Sequence, residues 1–141
     1  PCSLPISITM DADGQHDPAL ISRFTQCLQE DCAVVTGVRN RMARTSEIIF
    51  GVFARLLYGI KDPLCGIKAY KMSLYDELGH FDTYSSIGTE LILYAAKKRK
   101  DICQLDIDVK SRDGESRFGG SLSANLRILR AMFIGMFKRY D

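Results

Sequence analysis

Short β-rich apolar runs alternate with amphipathic helical segments along nearly the whole chain, and this alternation restricts the fold more than any other feature. Strands are expected where short apolar runs end in polar clusters, and helices where apolar residues recur every three or four positions. The predicted elements are, in chain order, a strand at 5–10, a helix from Pro18, a strand at 33–38, a helix at 46–58, a short strand at 65–71, one or two helical turns at 73–79, a helix at 89–100, a strand at 102–109 and a helix at 121–139. The alternation predicts an α/β layer structure with a largely parallel sheet, whose ligands bind beyond the carboxyl ends of the strands.

The composition is typical of one globular domain. The 141 residues are 46% apolar and 26% charged, which suits a single core and excludes a disordered chain. The formal net charge of +2 is too small to predict nucleic-acid binding, so we expect no nucleic-acid partner. Five cysteines without a CxxC pair, and a start without the basic segment of a signal peptide, favour reduced thiols and a cytoplasmic location.

The sharpest chemical signal is the acidic loop at 11–17 (DADGQHD), which follows the first predicted strand. Asp11 and Asp13 lie two residues apart where the chain turns, so both carboxylates can reach one hard cation such as Mg²⁺ or Mn²⁺. An EF-hand would need Gly and Glu where this chain has His16 and Ser22. A zinc site on His16 lacks a second His or Cys at ligand spacing. A solvated turn before the helix is the alternative interpretation of the loop.

Five segments occur in an order that resembles the family 2 glycosyltransferases, especially the branch that transfers sugars to dolichyl and other polyprenyl phosphates. They are ITMDADGQHDP, VVTGVRNR, DPLCGIKAYK, GTELIL and SRDGESRFGGS. The resemblance covers about the whole chain. It implies a GT-A-type α/β fold, a single partial domain over residues 1–141, a nucleotide-sugar donor, a Mg²⁺ or Mn²⁺ ion, and transfer with inversion at the anomeric carbon.

The resemblance assigns the metal and the donor diphosphate to the acidic loop. Asp11 and Asp13 match the carboxylates that hold both, and Gln15 matches a third metal ligand of the polyprenyl-phosphate branch. A bound dication stabilises the negative charge that a departing nucleoside diphosphate gains. We therefore expect the loss of Asp13, as a catalytic residue, to reduce turnover more than folding. An exposed loop amide is an equally open interpretation of Gln15.

Basic residues in two loops match the positions where the family branch binds an acceptor phosphate. Guanidinium groups bind phosphate oxygens in pairs, which positions the nucleophile and offsets repulsion between two anionic substrates. The matching residues are Arg39 and Arg44 after the second strand, and Arg112, Ser116 and Arg117 in a segment that resembles the branch's R-x-x-G-x-S-K/R signature. Solvated surface loops are the alternative interpretation of both segments.

Two further acids match positions near the reacting sugar. Asp62 precedes a strand in which the family usually has Gly-Phe-Arg and this chain has Gly-Ile-Lys at 66–68, so the role of Lys68 stays open. Glu90 begins a helix that supplies the general base in members with a hydroxyl acceptor. An ionised phosphate acceptor needs no base, and Glu90 would then orient the sugar. The alternative for Glu90 is an acid placed in the first turn by the helix dipole.

The final predicted helix has one broad apolar face, with cations to the other side. This pattern suits a helix at a membrane interface beside a lipid-linked acceptor, and it equally suits a helix that covers a core.

The functional hypothesis is a metal-dependent hexosyltransferase that moves a sugar to a polyprenyl phosphate, dolichyl or undecaprenyl, with peripheral contact at the cytoplasmic face of a membrane. Transfer to a glycan or lipid hydroxyl, and a non-catalytic remnant, are the alternatives. Family members carry about half of the sheet upstream of the acidic-loop strand, where this chain has only residues 1–5. We therefore expect a fragment or truncated product that binds donor poorly alone and self-associates through open sheet edges.

Overall fold

A computed structural model describes residues 5–12, 14–29, 32–40, 44–81, 88–109 and 121–140 of the chain. Four strands and five helices alternate through these residues, as the sequence predicts. The strands are β1 (Ile6–Thr9), β2 (Val34–Arg39), β3 (Lys68–Lys71) and β4 (Ile102–Ile107), and the helices are α1 (Leu20–Gln29), α2 (Thr45–Tyr58), α3 (Met72–Leu78), α4 (Thr89–Lys97) and α5 (Ser121–Phe137).

The four strands form one open sheet in the order β1-β3-β2-β4. Strand β2 pairs with β4 in parallel, whereas β3 runs antiparallel to both β1 and β2. Strands β1, β2 and β4 thus run in the same direction. The expectation of a largely parallel sheet is nevertheless wrong, because two of the three hydrogen-bonded strand pairs are antiparallel. Asp62, in the segment before β3, pairs with Arg39 at the carboxyl end of β2, and β3 runs back from that end.

Helices cover both faces of the sheet. Helix α1 packs on one face, where Phe24 and Leu28 join Val35 and Ile67 in a core. Helices α2 to α5 cover the other face. Their core residues are Phe50, Ala54, Leu74, Leu91, Ile92, Leu93 and Met132, together with Val34 and Tyr70 of the sheet. Because consecutive side chains of a strand point to opposite faces, the neighbours Val34 and Val35 serve the two cores.

Glycine at position 88 fixes the start of α4. Gly88 has φ of 74°, and the Tyr70 hydroxyl donates a hydrogen bond to its carbonyl at 3.0 Å. A β-carbon at position 88 would lie 2.1 Å from that hydroxyl oxygen, which is closer than any real contact. The hydrogen bond and the close approach of Tyr70 to Gly88 therefore hold β3 against the start of α4.

Cys32 and Cys103 are joined in a disulfide between the segment that enters β2 and strand β4, with Cα atoms 5.9 Å apart. The expectation that all cysteines are reduced thiols is therefore wrong for this pair. The two cysteines are 71 positions apart in sequence, and only the pairing of β2 with β4 brings them together. Cys27 and Cys65 carry free thiols.

Within the described residues, no helix is both long enough and apolar enough to cross a bilayer.

Candidate active site

The carboxyl ends of β1 and β2 and the segment that enters β3 meet at one edge of the sheet. This edge gathers Asp11, Arg39, Asp62 and Lys68, which are far apart in sequence. The convergence of the acidic loop with the segment after β2 follows from the shared direction of β1 and β2, as the alternation predicts. The contribution of the segment before β3 follows from the reversed direction of that strand.

Asp11 projects over a glycine in the segment before β3. A β-carbon on Gly66 would lie 1.9 Å from the Asp11 Oδ2 atom, so only glycine lets the carboxylate occupy this place. The Thr9 hydroxyl also approaches the Gly66 carbonyl, at 3.4 Å. The Asp11 residue itself is exposed. The Asp11 carboxylate therefore lies against Gly66 and is open to solvent.

Asp62 is buried and held by Arg39. The Arg39 Nε donates to Asp62 Oδ2 at 2.7 Å, a terminal guanidinium nitrogen donates to Oδ1 at 3.0 Å, and the Arg39 backbone amide donates to Oδ2 at 3.2 Å. The same guanidinium lies 3.4 Å from the Glu47 carboxylate in the first turn of α2. Burial alone would lower the pKa of Arg39, but the hydrogen bond and charge of Asp62 and the charge of Glu47 outweigh it and raise the pKa.

Lys68 is a fully buried lysine at the start of β3, with 1% of its surface exposed. Its ammonium donates to the Cys65 carbonyl. Burial lowers the pKa of Lys68, while the charges of Asp62 and Asp11 act in the opposite direction. The sequence left the role of this residue open, and only the reversed direction of β3 places its side chain among these acids.

Glu90 lies in a second polar cluster, at the start of α4. Its Oε1 atom lies 3.1 Å from His80 Nε2, 2.5 Å from Lys138 Nζ and 3.4 Å from the Tyr140 hydroxyl. The Glu90 side chain is fully buried. Sequence reasoning missed all three partners, because Lys138 and Tyr140 follow α5 and no local pattern links them to position 90. Thr89, beside Glu90, donates to the Pro63 carbonyl at 3.4 Å, so the cluster adjoins the segment that carries Asp62.

The remaining predicted site residues divide into two groups. Arg44 is half-buried at the N-cap of α2, and Gln15 is half-buried in the loop after β1. Asp13, Arg112, Ser116 and Arg117 lie outside the described residues, so their roles stay predictions. No group of three His, Cys, Asp or Glu side chains suited to a metal occurs among the residues that the structure describes. Asp13 is not among those residues.

A shallow cleft lies at the same edge of the sheet, between the ends of β2 and β4. It is lined by Val38, Arg39 and Asn40 on one side and by Asp106, Ile107 and Asp108 on the other. The Asn40 side-chain amide donates to Asp108 Oδ1 at 3.1 Å and joins the two walls.

Comparison with solved structures identifies the fold. Two crystal structures of glucosyl-3-phosphoglycerate synthase from Mycobacterium tuberculosis each match 99% of this chain. One, in complex with phosphoglyceric acid, has 19% identity and a TM-score of 0.71 and is covered over 52% of its length. Another, in complex with Mn²⁺, uridine diphosphate and phosphoglyceric acid, has 17% identity and a TM-score of 0.71 and is covered over 51%. A further mycobacterial protein matches 94% of this chain at 16% identity, with a TM-score of 0.69, and is covered over 45% of its length.

The likeness shows a GT-A-type open α/β sheet, as the resemblance of the motifs implies. The chain spans about half the length of these neighbours. No protein-family model matches the chain, and the comparison with curated proteins finds no match.

Proposed function

We propose that the protein is a metal-dependent glycosyltransferase of the family 2 type, which takes a sugar from a nucleotide-sugar donor. The single observation that carries this proposal is the Asp11 carboxylate seated over Gly66 at the carboxyl edge of the sheet. The fold adds support, because solved structures of the same fold hold Mn²⁺ and uridine diphosphate.

The residues at this edge fit a hard divalent cation. Asp11 offers carboxylate oxygens, the ligand type that Mg²⁺ and Mn²⁺ prefer, and the absence of a side chain on Gly66 leaves room for this carboxylate. In the proposal, Asp13 and Gln15 complete the ligand set. When bound, the cation would supply Lewis-acid stabilisation of the diphosphate charge.

We propose a phosphate group on the acceptor, as the basic motifs suggest. Arg44, Arg112, Ser116 and Arg117 would bind it. Arg39 already holds two carboxylates, so a phosphate would compete with Asp62 and Glu47 for its guanidinium. In this proposal Arg39 acts mainly by holding Asp62 and the start of α2 beside the site.

The finer proposal for the acceptor is a polyprenyl phosphate, reached from the cytoplasmic face of a membrane. It is supported by the resemblance of the motif at 111–117 to the polyprenyl-phosphate branch. The comparisons favour a second candidate, a small water-soluble phosphate ester, because the neighbouring enzyme is crystallised with phosphoglyceric acid and with glycerol 3-phosphate.

Transfer assays with a labelled nucleotide sugar and Mn²⁺ test the proposal. Polyprenyl phosphate, phosphoglycerate and a polyprenyl alcohol are compared as acceptors, and Asp11→Asn is compared with Asp76→Asn, which removes an exposed charge on α3. We expect Asp11→Asn to lose at least a hundredfold in turnover and Asp76→Asn to keep the full rate. Preferred transfer to phosphoglycerate would overturn the lipid acceptor alone, whereas equal rates for the two variants would overturn the metal site.

A further inference from the structure

The carboxylate of Glu90 is bound by side chains of the segment that follows α5. Lys138 Nζ donates to Glu90 Oε1 at 2.5 Å, and the Tyr140 hydroxyl donates to the same atom at 3.4 Å. His80 Nε2 lies 3.1 Å from this oxygen. The Glu90 side chain is fully buried, whereas 31% of the Lys138 side chain and 36% of the His80 side chain are exposed. Glu90 is therefore a buried anion whose charge is met by groups that reach the protein surface.

The last residue of α4 binds the end of α5 as well. Lys97 Nζ donates to three backbone carbonyls at 2.6, 3.1 and 2.6 Å, which belong to Gly135, Met136 and Lys138 respectively. The last carbonyls of a helix lack partners within the helix, and a cation beside them is favourable. The rings of Tyr94 and Tyr140 meet edge to face, with centroids 5.0 Å apart. Both ends of α4 therefore contact the same short stretch of chain, residues 135–140.

The opposite end of α5 adjoins the candidate active site. In the first turn of α2, the Ser46 hydroxyl donates to the Asn125 side-chain oxygen at 2.6 Å. In the sequence, Arg117 comes four positions before Ser121, the first residue of α5. The position of α5 therefore limits where the segment 111–117 can lie. In the proposed function this segment supplies three of the residues that bind the acceptor phosphate.

We propose that Glu90 is a positioning residue, which anchors the end of α5 on α4 through Lys138 and so holds the acceptor-binding segment that precedes α5. This role differs from both roles that the family resemblance implies for Glu90, a general base and a group that orients the sugar. A general base needs its carboxylate within about 3 Å of the hydroxyl whose proton it takes. In this structure the Lys138 ammonium occupies that place.

Urea unfolding of the full chain tests the anchor without any substrate. The variants are Glu90→Gln, Lys138→Met and the two together. Each single change leaves one partner without its counter-charge, so the unfolding constant of the double variant should lie at least tenfold below the product of the two single effects. The exposed pair of Glu77 and Lys100, at 2.9 Å, is the matched control, and its cycle should deviate by less than about threefold. Additive losses for Glu90 and Lys138 would overturn the anchor.

Transfer kinetics test the effect on the acceptor, with Mn²⁺, a nucleotide sugar, and phosphoglycerate or polyprenyl phosphate as the acceptor. We expect Glu90→Gln and Lys138→Met each to raise the acceptor KM at least fivefold while kcat stays within threefold, because a lost positioning contact weakens ground state and transition state alike. Lys138→Arg keeps the cation and should keep the wild-type KM. A hundredfold fall in kcat in Glu90→Gln alone, at unchanged KM, would be the result of losing a general base and would overturn the inference.

The two measurements separate this inference from the proposed function. The effect of Glu90 on the acceptor rests on the proposed function, whereas the contact of Glu90 with Lys138 does not. A wild-type chain that transfers sugar to neither acceptor would overturn the proposed function and the effect on the acceptor, and the unfolding cycle would still decide the anchor. Wild-type KM and kcat in both Glu90→Gln and Lys138→Met would overturn the positioning role and leave the proposed glycosyltransferase intact.

Discussion

At the scale of single residues, the site depends on a glycine whose role is to leave space. Gly66 lies where the Asp11 carboxylate needs room, and any larger residue would meet Asp11 Oδ2. The sequence drew attention to Asp11 through its spacing from Asp13. It gave no sign of Gly66, since the contact joins positions 55 residues apart and appears only once β1 and β3 are paired.

We predict that Gly66→Ala displaces the Asp11 carboxylate and weakens divalent-metal binding. A bound ligand at about 100 times its Kd stabilises a protein by about 2.7 kcal/mol, which raises the melting temperature of a chain of this size by about 5–10 °C. Gly66→Ala should lose most of the rise that Mn²⁺ with uridine diphosphate produces in thermal unfolding. Gly79→Ala is the control: its φ of 81° lowers the melting temperature of the free protein, but a β-carbon there meets no atom within 4 Å, so the rise with Mn²⁺ and uridine diphosphate should be kept. A full rise in Gly66→Ala would contradict the account of this contact.

A second prediction for single residues concerns the contribution of the ion pair of Arg39 and Asp62 to the free energy of unfolding. Replacing Arg39 by Met leaves Asp62 buried without its cation, and such a change costs about 3–5 kcal/mol of unfolding free energy. Adding Asp62→Leu should recover part of the loss, since an apolar pair can replace a buried ion pair.

Urea unfolding measures both effects. The exposed pair of Lys100 and Glu77, at 2.9 Å, is the control, and Lys100→Met should cost less than about 1 kcal/mol. Equal losses for Arg39→Met and Lys100→Met would show that Asp62 does not depend on Arg39.

At the scale of elements, the sequence predicted where strands and helices lie better than how they pair. Helix α2 was expected at 46–58 and occupies Thr45–Tyr58, because its apolar residues repeat with helical spacing. The prediction of a largely parallel sheet is wrong for β3, which is antiparallel to both of its neighbours. Alternation of apolar and polar residues is the same for a strand in either direction, and the pairing that defines the direction of β3 joins it to residues distant in sequence.

The prediction for the elements concerns the contact between the start of α4 and β3, and its effect on the free energy of unfolding. Gly88→Ala adds a side chain at φ of 74° and drives it into the Tyr70 hydroxyl, so we expect a loss of about 2–5 kcal/mol in unfolding free energy. The same change in a Tyr70→Phe background should cost less, because the hydroxyl is gone and the nearest ring carbon lies at 3.1 Å. A double-mutant cycle measures the coupling. Strictly additive losses would contradict a direct contact between Tyr70 of β3 and Gly88 at the start of α4.

At the scale of the whole molecule, the sheet has two open edges in the described chain, at β1 and at β4. An exposed edge strand offers unpaired backbone groups to another chain. We predict that the 141-residue chain self-associates as its concentration rises. Analytical ultracentrifugation checks this prediction. A monomer across the whole concentration range would contradict it.

The sequence predicted the order of the elements better than it predicted the contacts between residues that are distant in the chain. The order of the elements could be predicted because periodicity is a local property of the chain, whereas the GT-A-type fold was implied by the resemblance of the five motifs. The burial of Glu90 beneath Lys138 and Tyr140 could not, because it depends on how the segment after α5 returns to α4. The same holds for Lys68, whose place among the acids depends on the direction of β3.

The most direct test of the central claim is a calorimetric titration of the protein with uridine diphosphate, with and without Mn²⁺, on the wild-type chain, Asp11→Asn and Asp76→Asn. We predict binding that requires Mn²⁺ in the wild type and in Asp76→Asn, and at least a tenfold weaker association in Asp11→Asn. Binding of equal strength without the metal, or unchanged binding in Asp11→Asn, would contradict the claim that Asp11 holds a cation for the donor diphosphate.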